Sequence, residues 1–578
     1  KILLVNPPIW HKLDANPYKC PPITLMYLLN YIKKFNYSGK ILDLAFIQNY
    51  KDYYSKYLRQ NKFQIIGFTG ITLQRFDVLD LIKITAIIQP EAMIFVGGPH
   101  FTATAKETIE SIPEIDVIVH GEGEISLLKL MKRYENNKGL DGIEGISYRE
   151  NGKIFHNPNQ TFVAEIEQFS INDSIYENII MPDGEHEHLA KFANYESDNK
   201  KGIIVTAGRG CPGKCIFCLN FRKFKPRYKR LDAIINEIIE KKKKYKCNNF
   251  MFWDPCFIKR RIFFEEFCKK LIKEKIVINW WAETRPDFDV SLLKLAKESG
   301  CISLDIGMES ASQKVLDVLK KNIKIEQVQD VVDKCYELGI KVHVTAMVSM
   351  PDETTEDILK TLKFLSDNSY KLSNISISPT QILPGTELEE IAKKRGVIHK
   401  DFTWYDRDAH EINQKPDIFS INVPIWTEYF SRESILSIID RINIIEKGLS
   451  WDNFIKITGI KSDAKIVVYS AGGATLNFLS RLSKDYPKFH IEFIIDKYKN
   501  GELNGIPILD MNTALKKQFD FIIVTTFGHY DEVKDLLIGH DFKEYEDFAF
   551  LYFYEDMIEQ YIRLQIKPKM NCKKALTI

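Results

Sequence analysis

Cys211-Pro212-Gly213-Lys214-Cys215-Ile216-Phe217-Cys218 places three thiols within eight residues, just after the apolar run Ile203–Thr206. The chain has ten cysteines in 578 residues, so random placement would give this spacing roughly 0.003 times. Ten cysteines are also too few for a disulfide framework at this length. Crowded thiolates read instead as soft metal ligands. Zinc wants a fourth ligand, and no His or carboxylate stands at zinc spacing. An iron–sulfur cluster with one iron left open fits better, because an open iron is a place for chemistry. Inert buried thiols and a structural zinc are the bland alternatives.

Working outward, residues 201–400 alternate strand and helix patterns. Candidate strands are Ile203–Thr206, Asn249–Trp253, Ile278–Glu283, Ser303–Gly307, Val342–Val348 and Ile375–Pro379. Six such strands predict a partial (β/α)6 barrel of TIM type, with reactive residues at strand C-termini. Upstream, Ile2–Val5, Ile41–Leu44, Ile65–Thr69, Met93–Val96 and Val117–Val119 alternate with helical segments, which predicts a doubly wound parallel sheet over 1–140. A polar connector follows over 141–200, with a hairpin turn at Glu150-Asn151-Gly152-Lys153. Residues 401–455 read as a helical, substrate-side extension containing Arg432–Glu446. Lys465–Tyr469, His490–Ile495 and Phe521–Thr525 open a Rossmann-like α/β domain over 456–562, separable by its own pattern, before a tail at 563–578.

A CxxxCxxC directly after the first strand of an α/β barrel resembles the radical S-adenosylmethionine (SAM) superfamily. That resemblance implies that Cys211, Cys215 and Cys218 hold three irons of a 4Fe-4S cluster while SAM takes the fourth. An electron then cleaves SAM to a 5′-deoxyadenosyl radical. It also implies a SAM side made of Glu309 and Ser310 in Gly307-Met308-Glu309-Ser310, with Glu309 holding the ribose. Arg285 would serve as a SAM-carboxylate partner or a structural salt bridge, and Asp254 matches the acidic position common in cobalamin-linked members. Met350-Pro351-Asp352-Glu353-Thr354 resembles the usual Leu-Pro-Gly-Glu-Thr turn, with Asp in place of Gly.

The N-terminal region resembles the cobalamin-binding domain of that superfamily, and ligands of such sheets bind beyond strand C-termini. The resemblance implies that Asn6, Thr69, Thr72, Gly97, Gly98, Pro99, His100, Gly121 and Glu122 line the cobalamin side. An Asp-x-His-x-x-Gly motif is missing, and Asp408-Ala409-His410 lacks the Gly, so no histidine is expected on the lower face of the corrinoid. His100 and His120 read as loop or core histidines. In the C-terminal unit, Gly472, Gly473 and Asp496 look like half of a nucleotide site, although the GxGxxG spacing is not met.

Other charged stretches have bland readings. Lys241–Lys244 continues a helix and reads as a solvated face. Arg222, Lys223, Lys225, Arg227, Lys229 and Arg230, with aromatics interleaved, offer a dock for an anionic substrate or phosphate, or resemble the Tyr/Arg-rich link that members of the cobalamin-linked subfamily carry at this point. His186 and His188 are an incidental polar turn. Cys20, Cys247, Cys256, Cys268, Cys301, Cys335 and Cys572 are dispersed, mostly as small hydrophobes.

Lys+Arg at 80 against Asp+Glu at 78 argues against bulk capture of nucleic acid or of an anionic membrane. The opening apolar run is stopped by Asn6-Pro7-Pro8, and no run approaches a membrane span. A cytoplasmic enzyme is expected, with a small-molecule substrate and an electron donor such as flavodoxin or ferredoxin. With 4Fe-4S, SAM and cobalamin as cofactors, the reading is methylation of an unactivated carbon. Rearrangement or cyclisation without methyl transfer is a second reading, and a cofactor-bearing sensor or scaffold is a third.

Overall fold

The computed structural model describes residues 1–8, 21–45, 47–171, 173–181, 202–219, 226–406, 423–554, 558 and 562. Two compact units emerge. The first comprises Lys1–Asp305, Leu319–Asn322 and Thr380–Trp426; the second comprises Ile306–Val318, Ile323–Pro379 and Thr427–Ile578.

The first unit opens with an eight-stranded sheet. Its strands are β1 (Ile2–Asn6), β2 (Gly39–Asp43), β3 (Ile65–Thr69), β4 (Met93–Gly97), β5 (Val117–Val119), β6 (Ile146–Glu150), β7 (Lys153–His156) and β8 (Ile179–Ile180). The order is β7-β6-β5-β4-β3-β1-β2-β8. β1 pairs in parallel with both β2 and β3, so the winding reverses there and opens a crevice beyond Asn6 and Thr69. Helices Ile23–Lys33 and Gly123–Glu135 cover one face over Ile2, Leu4 and Val117. Tyr50–Gln60 and Arg75–Ile88 cover the other over Leu3, Val5 and Phe68. Strands buried on both faces are apolar throughout, which explains why they were legible.

The connector contributes more to this sheet than its polar composition suggests. β6 and β7 add an antiparallel hairpin beside β5, and β8 extends the other edge beside β2. At the hairpin turn Asn151 and Gly152 both adopt positive φ, 50° and 74°, as a type I′ turn requires.

The first unit continues with β9 (Ile203–Val205), the two-stranded ribbon β10 (Gly208–Arg209) and β11 (Arg227–Tyr228), then β12 (Asn249–Phe252) and β13 (Asn279–Thr284). β12 pairs in parallel with β9 and β13. β14 (Cys301–Glu309) begins here. A strap at the far end returns to the N-terminal sheet. Trp404 N–H donates to Glu107 at 2.8 Å, Arg75 Nε donates to the Trp404 carbonyl at 2.8 Å, and the Tyr405 hydroxyl lies 3.0 Å from Thr104 Oγ1.

In the second unit β14 ends, followed by β15 (Lys341–Val348) and β16 (Asn374–Pro379), which pair in parallel. Helix Arg432–Lys447 matches the expected helix at that point. The last sheet contains β17 (Leu449–Ser450), β18 (Ile466–Tyr469), β19 (Ile491–Ile495), β20 (Gly501–Leu503), β21 (Ile506–Leu509), β22 (Phe521–Val524) and β23 (Phe548–Tyr552). Its order, β17-β23-β22-β18-β19-β21-β20, is that of a doubly wound sheet.

The separability read from the sequence meets a physical obstacle. Helix Trp451–Thr458 and β23 lie against helix Thr355–Asn368 through buried polar contacts. Asn453 Nδ2 donates to the Ser366 carbonyl at 2.8 Å, the Tyr552 hydroxyl lies 3.2 Å from Ser366 Oγ, and the Tyr554 hydroxyl donates to the Leu359 carbonyl at 3.0 Å. Removing residues after 450 would leave Ser366 and Leu359 without these partners and expose apolar neighbours. Asn453→Ala is expected to cost about 1–3 kcal/mol, read as a lower urea midpoint, and a chain ending at 448 is expected to lose cooperative unfolding.

Candidate active site

The three-cysteine loop is built from short-range constraints. The Cys218 N–H donates to the Cys215 carbonyl at 3.2 Å, closing a tight turn. Buried Ile216 is pinned from both sides: its N–H reaches the Leu319 carbonyl at 3.1 Å and its carbonyl accepts from Leu388 at 3.0 Å. Gly213 lies between two of the thiols. A Cβ there would stand 3.1 Å from Arg285 Nη1 and at van der Waals distance, 3.4 and 3.7 Å, from Cys211 Sγ and Cys215 Sγ, so the position is closely packed against the loop's sulfurs. The Gly213 N–H donates to Cys211 Sγ at 3.4 Å, and Arg285 Nη1 approaches Cys215 Sγ at 3.8 Å. The neighbouring Cys256 side chain, then the Gly213 N–H, Arg285 and Lys321, draw the Cys211 thiol below its ordinary value against the effect of burial.

This donor set fits a cluster. Donors and positive charge favour thiolate, the ligating form. Among the described residues no three His, Cys, Asp or Glu side chains converge as a single-ion site needs. A 4Fe-4S cluster instead spreads its thiolates over different irons. Arg285 also forms an ion pair with Asp287 at 3.0 Å and donates to the Lys321 carbonyl.

The loop's upstream end is fixed by buried charge. Asp254 accepts from the backbone N–H groups of Ala207, at 2.9 Å, and Gly208. Burial pushes its carboxyl up to about 7 against those donors. The carboxylate read for the SAM side therefore clamps the end of β9. Arg209, two residues before Cys211, pairs with Glu124 at 2.6 Å and Glu122 at 3.3 Å. Arg227 holds Glu122 from the other side. Arg209 also stacks over Tyr27 and Phe169, and Arg227 over Phe162. Glu122 and Glu124 begin helix Gly123–Glu135 beyond β5, so one network ties the N-terminal sheet to the cysteine loop. Sequence reasoning assigned Glu122 to the corrinoid and passed over Arg209. A lone Arg in a Gly-Arg-Gly turn carries no local sign of its partner 85 residues away.

The remaining expectations sort by burial. Beyond β1, β3, β4 and β5, the backbone at Asn6, Thr69, Gly97, Gly98, Pro99 and Gly121 is at least partly exposed, the placement a ligand at the switch point needs. Gly98, at φ 90°, admits no side chain, since a Cβ would lie 2.7 Å from Thr69 Oγ1 and 2.9 Å from the Gly70 nitrogen. Thr72 and His100 are buried. His100 Nδ1 lies 3.3 Å from Thr72 Oγ1 and Nε2 lies 3.3 Å from the Tyr405 hydroxyl. Burial, then Arg75, hold it well below the usual imidazole range. His120 Nε2 lies 2.9 Å from Ser147 Oγ. Both rings thus serve the fold.

In the second unit Glu309 ends β14 buried, with φ at 67°, a left-handed conformation that costs a non-glycine residue energy and often marks a functional strand end. Ser310 lies 3.2 Å from Thr361 Oγ1 and accepts from the Ser312 N–H at 3.1 Å, organising the next turn. Asp352 takes φ 60°, so it adopts the conformation that glycine would supply at that position. Buried Glu353 accepts from the Met350 N–H at 3.0 Å, and burial pushes its carboxyl up to about 8. In the last sheet Asp496 accepts from the N–H groups of Ala471, Tyr498 and Lys499 at 2.7–2.9 Å. It clamps the turn beside Gly472 and Gly473 and has little left to offer a ribose.

The basic stretches change character too. Lys229 and Lys241 are buried against Glu237 at 2.8 and 2.6 Å, so Lys241 is no solvated face and Lys229 no anion dock. The amphipathic pattern hides this, because the buried charge is satisfied by Glu237, ten residues or fewer away on a helix. Arg222, Lys223, Lys225, His186, His188, Asp408 and His410 lie outside the described residues.

Residues 205–365 match the family model of the radical SAM superfamily, and residues 14–130 match that of the B12 binding domain. The chain carries a radical SAM domain and a B12-binding domain. An uncharacterized methyltransferase of Pyrococcus horikoshii is 28% identical over 397 residues, 68% of this chain and 83% of that one. An anaerobic magnesium-protoporphyrin IX monomethyl ester cyclase of Rubrivivax gelatinosus is 28% identical over 61% of this chain and 63% of that one. The solved radical S-adenosylmethionine methyltransferase TsrM of Kitasatospora setae, with cobalamin and a [4Fe-4S] cluster bound, shares the fold at a TM-score of 0.57 and 17% identity, over 68% of this chain and 78% of that one. Among the described residues no helix is long and apolar enough to cross a membrane.

In this radical SAM enzyme, Cys211→Ala, Cys215→Ala or Cys218→Ala should each reduce iron uptake on anaerobic reconstitution to a small fraction of wild type. Arg209→Ala leaves two buried carboxylates short of a partner and is expected to cost about 3–5 kcal/mol of unfolding free energy. Adding Glu122→Gln and Glu124→Gln should recover part of that loss in the same urea titration.

Proposed function

We propose that this enzyme transfers a methyl group to an unactivated carbon of a small-molecule substrate. The observation that carries this reading is the Arg209–Glu122–Glu124 network, which joins a loop of the B12-binding domain to the cluster loop within one compact unit. When bound, the cluster supplies the electron that opens SAM and the corrinoid carries the methyl group.

The chain's share is to hold and to shield. Cys211, Cys215 and Cys218 hold the cluster, and Arg285 steadies the Cys215 sulfur. Glu309 offers a buried carboxylate to the SAM ribose. Asn6, Thr69, Gly97, Gly98, Pro99 and Gly121 receive the corrinoid at the switch point of the sheet. With His100 and His120 already engaged, no imidazole from either serves as a lower ligand. A flavodoxin- or ferredoxin-type donor would supply the electron. Division into residues 1–140, 201–400 and 456–562 belongs to the same reading, with β6–β8 extending the first of these.

The relative named a methyltransferase is matched over more of its length than the one named a cyclase, which favours methyl transfer over ring closure. The test is turnover with methyl-labelled SAM, cobalamin, a low-potential reductant and a pool of candidate substrates. A labelled methyl group in the product is expected. Consumption of substrate and SAM with no label in the product would replace methyl transfer by rearrangement or cyclisation. In the cob(II)alamin paramagnetic resonance spectrum, hyperfine coupling from a protein imidazole should be missing.

A further inference from the structure

The turns that rim the crevice beyond β3, β4 and β5 are joined by one short helix, Pro99–Ala103. The His100 N–H donates to the Gly70 carbonyl at 3.2 Å, and the Gly70 N–H donates to the Gly97 carbonyl at 3.2 Å. Thr102 Oγ1 accepts from the Gly121 N–H at 3.2 Å. Three strand ends are therefore set by this helix, and a helix of five residues is too short to hold a position on its own. What backs it comes from far along the chain. The Tyr405 hydroxyl lies 3.0 Å from Thr104 Oγ1 and 3.3 Å from His100 Nε2, and it is hydrogen-bonded to Thr108 Oγ1. The Trp404 indole meets the His100 ring edge-on at 6.0 Å. Trp404 is itself fixed on three sides, by Glu107 and Arg75 of the N-terminal domain and by Glu389, whose Oε1 accepts from the indole N–H at 2.9 Å. Glu389 belongs to helix Glu387–Arg395, where Leu388 donates its N–H to the Ile216 carbonyl of the cysteine loop at 3.0 Å. The strap thus runs from a helix that supports the cysteine loop to the helix that joins the rim.

We propose that Trp404 and Tyr405 are positioning residues of the corrinoid site, holding helix Pro99–Ala103, and through it the turns at Gly70, Gly97–Gly98 and Gly121, in the arrangement that receives the corrinoid. The inference rests on the reading of that rim as the corrinoid site. Trp404 is 1% exposed, and the Tyr405 hydroxyl is engaged with Thr104, Thr108 and His100, so both act through the helix. The two apolar cores of the N-terminal sheet are built from the first 181 residues, with Tyr405 packed against one of them. Loss of one hydroxyl therefore leaves the sheet in place and loosens the rim. Affinity for a ligand falls with the fraction of molecules whose site is already arranged to receive it. One net hydrogen bond moves such an equilibrium by up to about tenfold.

The experiment uses the full chain reconstituted anaerobically with iron and sulfide, and methylcobalamin as the probe. Iron content is measured first, and the dissociation constant of methylcobalamin is then read by equilibrium dialysis in the dark. Tyr405→Phe removes only the hydroxyl, and Thr104→Val removes its partner. Each should weaken methylcobalamin binding about three- to tenfold while iron uptake stays at the wild-type level. Thr104→Ser, which keeps the hydroxyl, should bind as wild type does. The double variant Tyr405→Phe/Thr104→Val should lose less than the product of the two single losses, because both break one bond. Trp404→Phe, which keeps a ring beside His100 and gives up the indole N–H to Glu389, should weaken binding in the same direction. Should Tyr405→Phe fail to fold, the Thr104→Val and Thr104→Ser pair carries the comparison. Wild-type affinity in both Tyr405→Phe and Thr104→Val overturns the proposal. So does equal weakening in Thr104→Ser and Thr104→Val, which would assign the effect to packing, and so does a loss of iron that parallels the loss of methylcobalamin. If wild type itself retains no methylcobalamin, the corrinoid reading falls and this inference falls with it.

Discussion

Two buried carboxylates, Glu122 and Glu124, have to be neutralised, and the first unit is organised around how that is done. Burying an unpaired carboxylate is far too costly to tolerate, so the two acids at the start of helix Gly123–Glu135 fix where Arg209 and Arg227 must lie. Arg209 and Arg227 are the strand residues of a short antiparallel ribbon, and the cysteine loop runs between them. The position of the cluster ligands is thereby set by electrostatics in a neighbouring domain. Charge pairing of this kind gives little net stability compared with an apolar core. It does give a defined register, which a reaction shared between two cofactors needs.

The same economy recurs at smaller scale. Asp254 and Asp496 each looked like candidates for cofactor chemistry, and each, like Glu353, accepts hydrogen bonds from backbone amides beyond the end of a parallel strand. Loops at those ends carry unpaired N–H groups, and a short acid satisfies two or three of them at once. A carboxylate at a strand end is therefore as much a loop clamp as a ligand. Glu309 is set apart by its strained backbone, which a clamp does not need.

Much of the fold was legible because parallel strands covered on both faces tend to be continuous apolar runs, as Ile2–Val5, Ile466–Tyr469 and Phe521–Val524 are. The cysteine spacing was legible because three soft ligands at close spacing are improbable by chance. The partners of those groups were not. Arg209 owes its character to Glu122 and Glu124, brought in from another element, and Lys229 and Lys241 owe theirs to one carboxylate, Glu237, buried with them. Glu122 stands where a ligand loop belongs, and the sequence carries no sign that it is paired with Arg209 and Arg227.

The strap at Phe402–Tyr405 has a consequence for synthesis. The N-terminal sheet is assembled from the first 180 residues, where Thr72 already meets buried Arg75 and His100, yet the remaining hydrogen bonds of those two side chains go to Trp404 and Tyr405. Domains tend to fold in the order in which they leave the ribosome. Here the earliest domain waits for residue 405 of 578 before its polar groups are closed off. At about 5–20 residues per second that interval lasts on the order of ten seconds or more, a window in which the nascent chain presents an unfinished surface to chaperones.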